Sequence, residues 1–202
     1  SHGGAGCVRI NAVASEHHCD DVEALSGVPG LRAVMVPKAD DGVDWAGIGR
    51  VVRRPAIALV ETAAGLDRAT ALARDPDVAR LAFGHLDYAV DIAAEPTRIA
   101  MLHARSQLVL ASRLGGKPPP VDGVTLAIDD VVALTDDIRH AREVGMGGTL
   151  LIHPSQVAPA RAASSPTDEQ VESAREIVSA ATSGGAVRVG GVMVDAPVLA
   201  RA

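Results

Sequence analysis

The sequence predicts a parallel α/β fold, in which buried strands alternate with helices along the chain. Short apolar segments bounded by Gly or Pro recur, and segments with the apolar spacing of helices lie between them. Hydrophobic residues make up 48% of the 202 residues but aromatic residues only 1%, so Ala, Val, Leu and Ile must fill the core. Side chains of this size suit a layered core built on strands that are covered on both faces.

The strands are predicted from short apolar runs that stop at a polar residue, at Gly or at Pro. They cover residues 7–11, 31–36, 57–60, 78–83, 122–128 and 150–152. Helical spacing predicts helices over residues 20–25, 66–73, 98–114, 130–144 and 166–181, with a weaker signal at 45–52. The longest of these, 98–114, contains no helix breaker and stops at Gly115.

Two parallel architectures fit these strands, an open doubly wound sheet and a (β/α)8 TIM barrel. The doubly wound sheet would have a Gly-rich phosphate turn after its first strand, and the sequence has none there. The barrel accounts for the polar residues that follow nearly every strand, because barrel sites lie at the carboxyl ends of the strands. These residues are Asn11, Lys38, Glu61, Asp87, Asp129 and His153. The sequence therefore favours a barrel that is two strands short.

Composition argues against several classes of function. The formal net charge of −6, with one Phe, one Tyr and one Trp, gives neither a basic surface nor a stacking platform, so a nucleic-acid partner is not expected. No apolar stretch reaches the length of a membrane span, and no membrane association is expected. The two cysteines, Cys7 and Cys19, are too few for a disulfide scaffold and lack zinc spacing, which favours a reducing cytoplasm.

The best candidates for a metal site are Glu61 and Asp87. Each follows one of two consecutive strands in the stretch 57–87, so parallel pairing would bring both carboxylates to the same rim. Two carboxylates on a rigid rim suit Mg²⁺, which keeps water or substrate oxygens as its other ligands. The alternative is that both acids cap βα loops and bind no metal.

Two basic residues near the same rim have open roles. Arg9 lies inside an apolar strand, where an unpaired guanidinium is costly, so it should meet either a substrate carboxylate or carbonyl, or a neighbouring rim carboxylate. Lys38 could form a Schiff base only if its amine were desolvated, and an ordinary pairing with an acid is the simpler interpretation. His153 is expected to hydrogen-bond to structure, and residues 17–20 (HHCD) to form a solvated loop.

Eight short motifs together resemble the citrate lyase β-subunit-like family, within the HpcH/HpaI aldolase group of acyl-CoA ester lyases. They are VRIN at 8–11, VPK at 36–38, ALVETAAG at 58–65, FGHLD at 83–87, ARSQLVLASR at 104–113, DGVTLAIDD at 122–130, GGTLLIHPSQV at 147–157 and MVDAPV at 193–198. Each motif is weak by itself, but their order and spacing extend over nearly the whole chain. The resemblance is therefore specific.

The resemblance implies a (β/α)8 barrel, commonly homotrimeric, with Mg²⁺ bound by Glu61 and Asp87. Arg9 would be catalytic and would also bind substrate, together with Gly84, His85 and Leu86 of the FGHLD motif. Asp195 of the VDAP motif would be the second catalytic residue and would reach a neighbouring subunit's site. Residues 7–165 would then form the barrel domain, and residues 166–202 a C-terminal helix and lid that packs on a neighbouring subunit.

The implied function is Mg²⁺-dependent carbon–carbon cleavage of a citryl-, malyl- or citramalyl-CoA type of thioester, or its reverse, with thioester hydrolysis as a further activity. Its partners would be an acyl-CoA ester and a small keto acid. Two alternatives stay open: a subunit that works with an acyl-carrier protein, and an aldolase acting on free pyruvate-derived acids. Family members begin with two further strands, one ending in a DLED-like motif, so the first two βα units are expected to be absent from this sequence.

Overall fold

The computed structural model describes residues 4–181, 187–189, 192–194 and 199. The chain divides into two compact units, residues 1–160 and residues 161–202. The described strands are β1 (Gly6–Arg9), β2 (Leu31–Val36), β3 (Ala56–Val60), β4 (Val78–Phe83), β5 (Val187–Val189) and β6 (Val192–Val194). The described α-helices are α1 (His18–Ala24), α2 (Trp45–Val52), α3 (Ala63–Asp67), α4 (Ala69–Arg74), α5 (His85–Asp91), α6 (Arg98–Leu114), α7 (Val131–Glu143), α8 (Val157–Ser164) and α9 (Asp168–Ala181).

The first unit is built on a parallel sheet in which β1, β2, β3 and β4 are neighbours in sequence order. Beyond β4 the parallel order continues through two isolated bridges, one between Ala82 and Val121 and one between Asp122 and Thr149. Helices connect successive strands, as parallel pairing requires. The predicted parallel α/β fold is confirmed.

The predicted strands at 122–128 and 150–152 are wrong, because this part of the chain pairs with its neighbours only through isolated bridges at Val121, Asp122 and Thr149. From Gly123 onward, side chains replace the ladder as hydrogen-bond partners of the main chain. Thr149 Oγ1 donates to the Gly123 carbonyl over 2.8 Å, and Gln156 Nε2 donates to the Thr125 carbonyl over 3.0 Å. The apolar pattern at 122–128 therefore belongs to an anchored loop.

The sheet has one large and one small apolar face, and alternation along the strands decides which residues each face carries. The large face packs under the helices and includes Val34, Val36, Ala58, Val60, Leu81 and Phe83. The opposite face carries a small cluster of Met35, Leu59 and Ala82. Arg9 pairs with Met35 in the β1–β2 register, and Glu61 and Gly84 come two positions after Leu59 and Ala82. All three therefore lie at the strand ends on the side of the small cluster.

The helices after β3 and β4 differ from the prediction. The predicted helix at 66–73 is two short helices, α3 and α4, separated at Arg68. Helix α5 was not predicted, because its seven residues are too few to show a clear apolar period. Helix α6 has the predicted bounds, and Thr97 caps it by accepting a hydrogen bond from the Ala100 amide.

The described part of the second unit contains α9 and an antiparallel pair, β5 with β6. None of the described helices has the length and apolarity that a membrane span needs.

Candidate active site

Glu61 is the most firmly held residue of the candidate site. It follows the last residue of β3 directly, and the next residue, Thr62, caps α3 by accepting a hydrogen bond from the Gly65 amide over 3.0 Å. Only 4% of Glu61 is exposed. Its Oε1 accepts a hydrogen bond of 3.0 Å from the main-chain amide of Lys38, in the turn after β2. The ends of two neighbouring strands, β2 and β3, therefore fix the position of the Glu61 carboxylate.

Asp87 reaches the same place from a helix. It lies in the first turn of α5, where the positive end of the helix dipole favours an acidic side chain. Burial, and after it the charge of Asp87 and a hydrogen bond with it, raise the pKa of Glu61; the Lys38 amide and the Arg9 charge act in the opposite direction. The structure thus brings together the two carboxylates that the sequence selected. Two such groups repel each other unless a proton or a cation lies between them.

Arg9 is the last residue of β1 and is exposed at the same end of the sheet. Its positive charge opposes the rise in the pKa of Glu61, so the guanidinium acts on the site. Within the described part of the chain Arg9 forms no ion pair. Its donors are therefore available to an anionic substrate group, which is one of the two roles that the sequence left open.

Gly84, the residue between β4 and α5, leaves room for the Glu61 side chain. A Cβ atom at Gly84 would lie 2.6 Å from Cβ and 2.7 Å from Oε2 of Glu61. Both contacts are shorter than a real Cβ tolerates, and the Glu61 side chain is fixed at its other oxygen. The position therefore requires glycine for the observed carboxylate to stay where it is.

Gly84→Ala is expected to displace Glu61 and to weaken Mg²⁺ binding by about tenfold or more, as changes that misplace a metal ligand do. Isothermal titration with Mg²⁺ measures this. The matched control is Gly6→Ala in β1, where an added Cβ meets nothing within 4 Å. An unchanged Mg²⁺ affinity in folded Gly84→Ala would show that the gap has no role at the site.

A buried polar cluster lies beside Phe83 and His85, the residues on either side of Gly84. Arg105 of α6 donates from Nε to both carboxylate oxygens of Asp122, over 3.0 and 2.9 Å, and both side chains are buried. Asp122 Oδ1 also accepts from the Gly123 amide over 2.8 Å. The Arg105 guanidinium carbon lies 5.7 Å from the centre of the Phe83 ring, in a cation–π contact. The cluster ties α6 and the segment at Asp122 to the end of β4.

His85 faces this cluster with its side chain. Its ring lies 6.2 Å from that of Phe83, and a Cβ at Gly123 would collide with Nδ1. Burial first, and then the Arg105 charge, lower the pKa of His85, so the imidazole is neutral at pH 7. The substrate contact predicted at His85 would therefore come from its main chain, as it could at the half-buried Leu86. In the first turn of a helix, main-chain amides lack intrahelical acceptors.

The other predicted residues lie outside this group. His153 caps a short 3₁₀ helix, Pro154–Gln156, by accepting from the Ser155 amide. Among the described residues, no group of three or more His, Cys, Asp and Glu side chains could hold a metal ion, and this includes the HHCD stretch. The loop predicted at 17–20 is wrong, because residues 18–20 begin helix α1. Asp195 falls outside the described residues.

Sequence reasoning missed the ion pair of Arg105 and Asp122, although a signal was present. Arg105 shares helical spacing with Met101, Leu108 and Ser112, all buried on α6. A charged residue in that apolar stripe indicates a buried partner, because an unpaired guanidinium there would be too costly. The partner itself could not be identified before the fold was known.

The chain is similar to known proteins over most of its length. The family model of HpcH/HpaI aldolase/citrate lyase matches residues 2–154. A citrate lyase subunit beta-like protein of Deinococcus radiodurans is 35% identical over an alignment 207 residues long, which covers 96% of this chain and 72% of the relative. A (3S)-malyl-CoA thioesterase of Cereibacter sphaeroides is 31% identical over 176 residues, which cover 86% of this chain and 61% of that relative.

Solved structures agree with the sequence relatives. The crystal structure of CitE from Mycobacterium tuberculosis in complex with magnesium, acetoacetate and coenzyme A superposes with a TM-score of 0.81 at 35% identity, covering 96% of this chain and 74% of that one. A citrate lyase from Burkholderia xenovorans superposes with a TM-score of 0.79 at 27% identity, covering 96% and 70%. On the family match and these relatives, the chain belongs to the HpcH/HpaI aldolase/citrate lyase family.

Proposed function

We propose that this chain is a Mg²⁺-dependent carbon–carbon lyase that acts on a 3-hydroxyacyl thioester of the citryl-, malyl- or citramalyl-CoA type. The observation that carries the proposal is the convergence of buried Glu61 with Asp87, beside the guanidinium of Arg9. Relatives and neighbours named as citrate lyase β-like proteins, and a CitE structure with magnesium and coenzyme A, support the same chemistry.

The donor set fits Mg²⁺. Glu61 and Asp87 offer hard carboxylate oxygens, and after burial the charge of Asp87 is the main cause that raises the pKa of Glu61, a repulsion that a divalent cation would relieve. Gly84 leaves open the space beside Glu61 Oε2 that a side chain would otherwise occupy. Two protein carboxylates suit an ion that takes its other ligands from water and substrate. Bound there, Mg²⁺ would stabilise negative charge on substrate oxygens.

We extend the proposal to the architecture. Six parallel positions follow in sequence order, β1 to β4 and then the bridged residues Val121 and Thr149, which is the order of neighbours in a (β/α)8 barrel. CitE, which this chain resembles at a TM-score of 0.81, is the longer protein, and this chain covers 74% of it.

We also propose a homotrimer in which residues 166–202 act as a lid on the neighbouring subunit and deliver Asp195 to its site.

The cleavage reaction assigns a task to each residue. The substrate hydroxyl loses its proton to a base and its oxygen forms the carbonyl of the released keto acid, while the bond between the hydroxyl-bearing carbon and the carbon next to the thioester breaks. The electron pair of that bond passes to the thioester fragment as an enolate, which then takes up a proton at carbon. Arg9 would stabilise the enolate or carboxylate oxygen by charge-assisted hydrogen bonds. Asp195 is the candidate for moving the proton.

Thioester hydrolysis is a second candidate, and the Cereibacter sphaeroides relatives named as (3S)-malyl-CoA thioesterases favour it specifically. Hydrolysis adds water to the thioester and releases the free hydroxy acid with CoA. It would use the same binding site but needs a positioned water in addition. The products therefore distinguish the two activities.

The test is a product assay of the purified chain with Mg²⁺ and each of the three thioesters, followed by mass spectrometry. Lyase activity is expected to give acetyl-CoA with oxaloacetate, glyoxylate or pyruvate, whereas hydrolysis gives free CoA with the hydroxy acid. A chelator should remove the activity and added Mg²⁺ should restore it. Turnover that is indifferent to the chelator would contradict the proposal.

A further inference from the structure

The turn after β2 contains a main-chain conformation that ordinary side chains avoid. Lys38 has a φ of 49°, in the left-handed region, although it is not a glycine. Its side chain is exposed, so no burial requirement explains the conformation. Left-handed residues other than glycine are uncommon and costly, and they persist where surrounding contacts determine them. At Lys38, the contacts that determine the conformation are made with Glu61, with β3 and with α3.

Three contacts hold the turn in place. The Lys38 amide donates to Glu61 Oε1 over 3.0 Å, and the Ala39 amide donates to the Leu59 carbonyl over 3.1 Å. A Cβ at Gly65, in α3, would lie 2.5 Å from the Ala39 carbonyl oxygen, so this helix approaches the turn as closely as a glycine permits. Ala39 itself is fully buried. The turn is therefore fixed both to β3 and to the helix that follows it.

The result of these contacts is a carboxylate whose two oxygens face different surroundings. Oε1 of Glu61 receives the Lys38 amide, while Oε2 faces the open side of Gly84. An extended φ at residue 38 would turn the amide to another direction and release Oε1. The orientation of Glu61 thus depends on the main chain of Lys38.

We infer that Lys38 is a positioning residue for the metal ligand Glu61, and that it acts through its left-handed main chain and amide instead of its ammonium group. The inference rests on the proposed Mg²⁺ site. It goes beyond that proposal, because it assigns to Lys38 a role that neither the Schiff-base interpretation nor the acid-pairing interpretation contains.

The test compares two variants that both remove the ammonium group. Lys38→Gly keeps the amide and adopts the left-handed conformation without strain, so Mg²⁺ affinity should stay within about twofold of the parent chain. Lys38→Val keeps the amide, but its β-branch opposes that conformation, so affinity should fall by about tenfold or more. Isothermal titration measures both. Arg53→Val is the matched control, since Arg53 has a φ of 53° at the end of α2 and should lose stability without losing affinity.

A second readout requires no metal. Hydrogen exchange at the residue 38 amide should be slow in the parent chain and in Lys38→Gly, and fast in Lys38→Val and in Glu61→Ala. If Lys38→Val does not fold, Gly65→Ala replaces it, because an added Cβ would press on the Ala39 carbonyl and shift the same turn.

The outcomes separate this inference from the proposed function. Equal loss of affinity in Lys38→Gly and Lys38→Val would assign the role to the ammonium group and overturn the inference. Full affinity in Lys38→Val would overturn it as well. A parent chain that binds no Mg²⁺ would overturn the proposed function, and the exchange of the Lys38 amide would then still decide whether the turn positions Glu61.

Discussion

Glu61→Gln and Asp87→Asn are each expected to abolish measurable Mg²⁺ binding and to lower turnover by about a thousandfold or more, the equivalent of several kcal/mol of charge stabilisation. Each change keeps the shape of the side chain but removes one of the two charges that would hold the cation. Titration calorimetry reports the binding, and the product assay reports the turnover. Glu95→Gln, at an exposed position between α5 and α6, is the matched control and should change neither.

The same Glu61→Gln variant is expected to be more stable than the parent chain at neutral pH when no metal is present. The pKa of Glu61 is raised in the folded state, mainly by burial and then by Asp87. Protonated Glu61 therefore stabilises the folded state fully at pH values below the ordinary pKa of a glutamate. This stabilisation is lost as the pH rises through the raised pKa. The substituted glutamine side chain carries no charge to bury and can still accept the Lys38 amide.

Thermal unfolding in chelator across the acidic to neutral range measures this effect. The midpoint of the parent chain should fall relative to Glu61→Gln as pH rises, and Mg²⁺ should restore it in the parent chain only. A variant that is less stable than the parent chain at neutral pH would show that Glu61 is already neutralised inside the protein. That result would remove the electrostatic reason for a cation at the site.

Breaking the buried ion pair has the second large expected effect. Asp122→Ala or Arg105→Met should lower the free energy of unfolding by about 3–5 kcal/mol, because each leaves the other charge buried without its partner. Asp122→Ala should be the more damaging, since Asp122 also accepts the Gly123 amide. Urea unfolding followed by circular dichroism measures the loss.

The double variant Arg105→Met with Asp122→Ala tests the cause. It removes both charges together, so it should recover much of the stability that either single change loses. The exposed pair of Arg98 with Asp136 is the control, and Arg98→Met should cost less than about 1 kcal/mol. Costs that simply add in the double variant would mean that the two charges do not interact, contrary to their geometry.

The sequence predicted what depends on local pattern. Strands end where Gly, Pro or an acid interrupts an apolar run, so β1 to β4 and the placement of Glu61 at a strand end followed directly. Asp87 was also assigned to this rim, although it lies inside α5 and not in a loop after β4. The error had little effect, because the first turn of a helix begins at the same end of the sheet as the strand before it.

What the sequence could not predict depends on partners distant along the chain. The segment at 122–128 has the composition of a strand, but Thr149 and Gln156 take up its carbonyls and keep it out of the sheet. The left-handed turn at Lys38 has no glycine to signal it, since Glu61 and Gly65 impose it. Such features are set by tertiary contacts, and the local propensities of the residues do not predict them.

Glu61 and Asp87 are carried by structural elements of different stability, the sheet and helix α5. Glu61 is anchored in the sheet, whereas Asp87 sits on α5, which has seven residues and is too short to be stable by itself. Packing of Tyr88 and Ala89 keeps this helix in place, so a brief local opening would release Asp87 while Glu61 stays fixed. The proposed cation would therefore join a carboxylate fixed at the end of β3 to one carried by a short helix, and its binding would stabilise α5 against local opening.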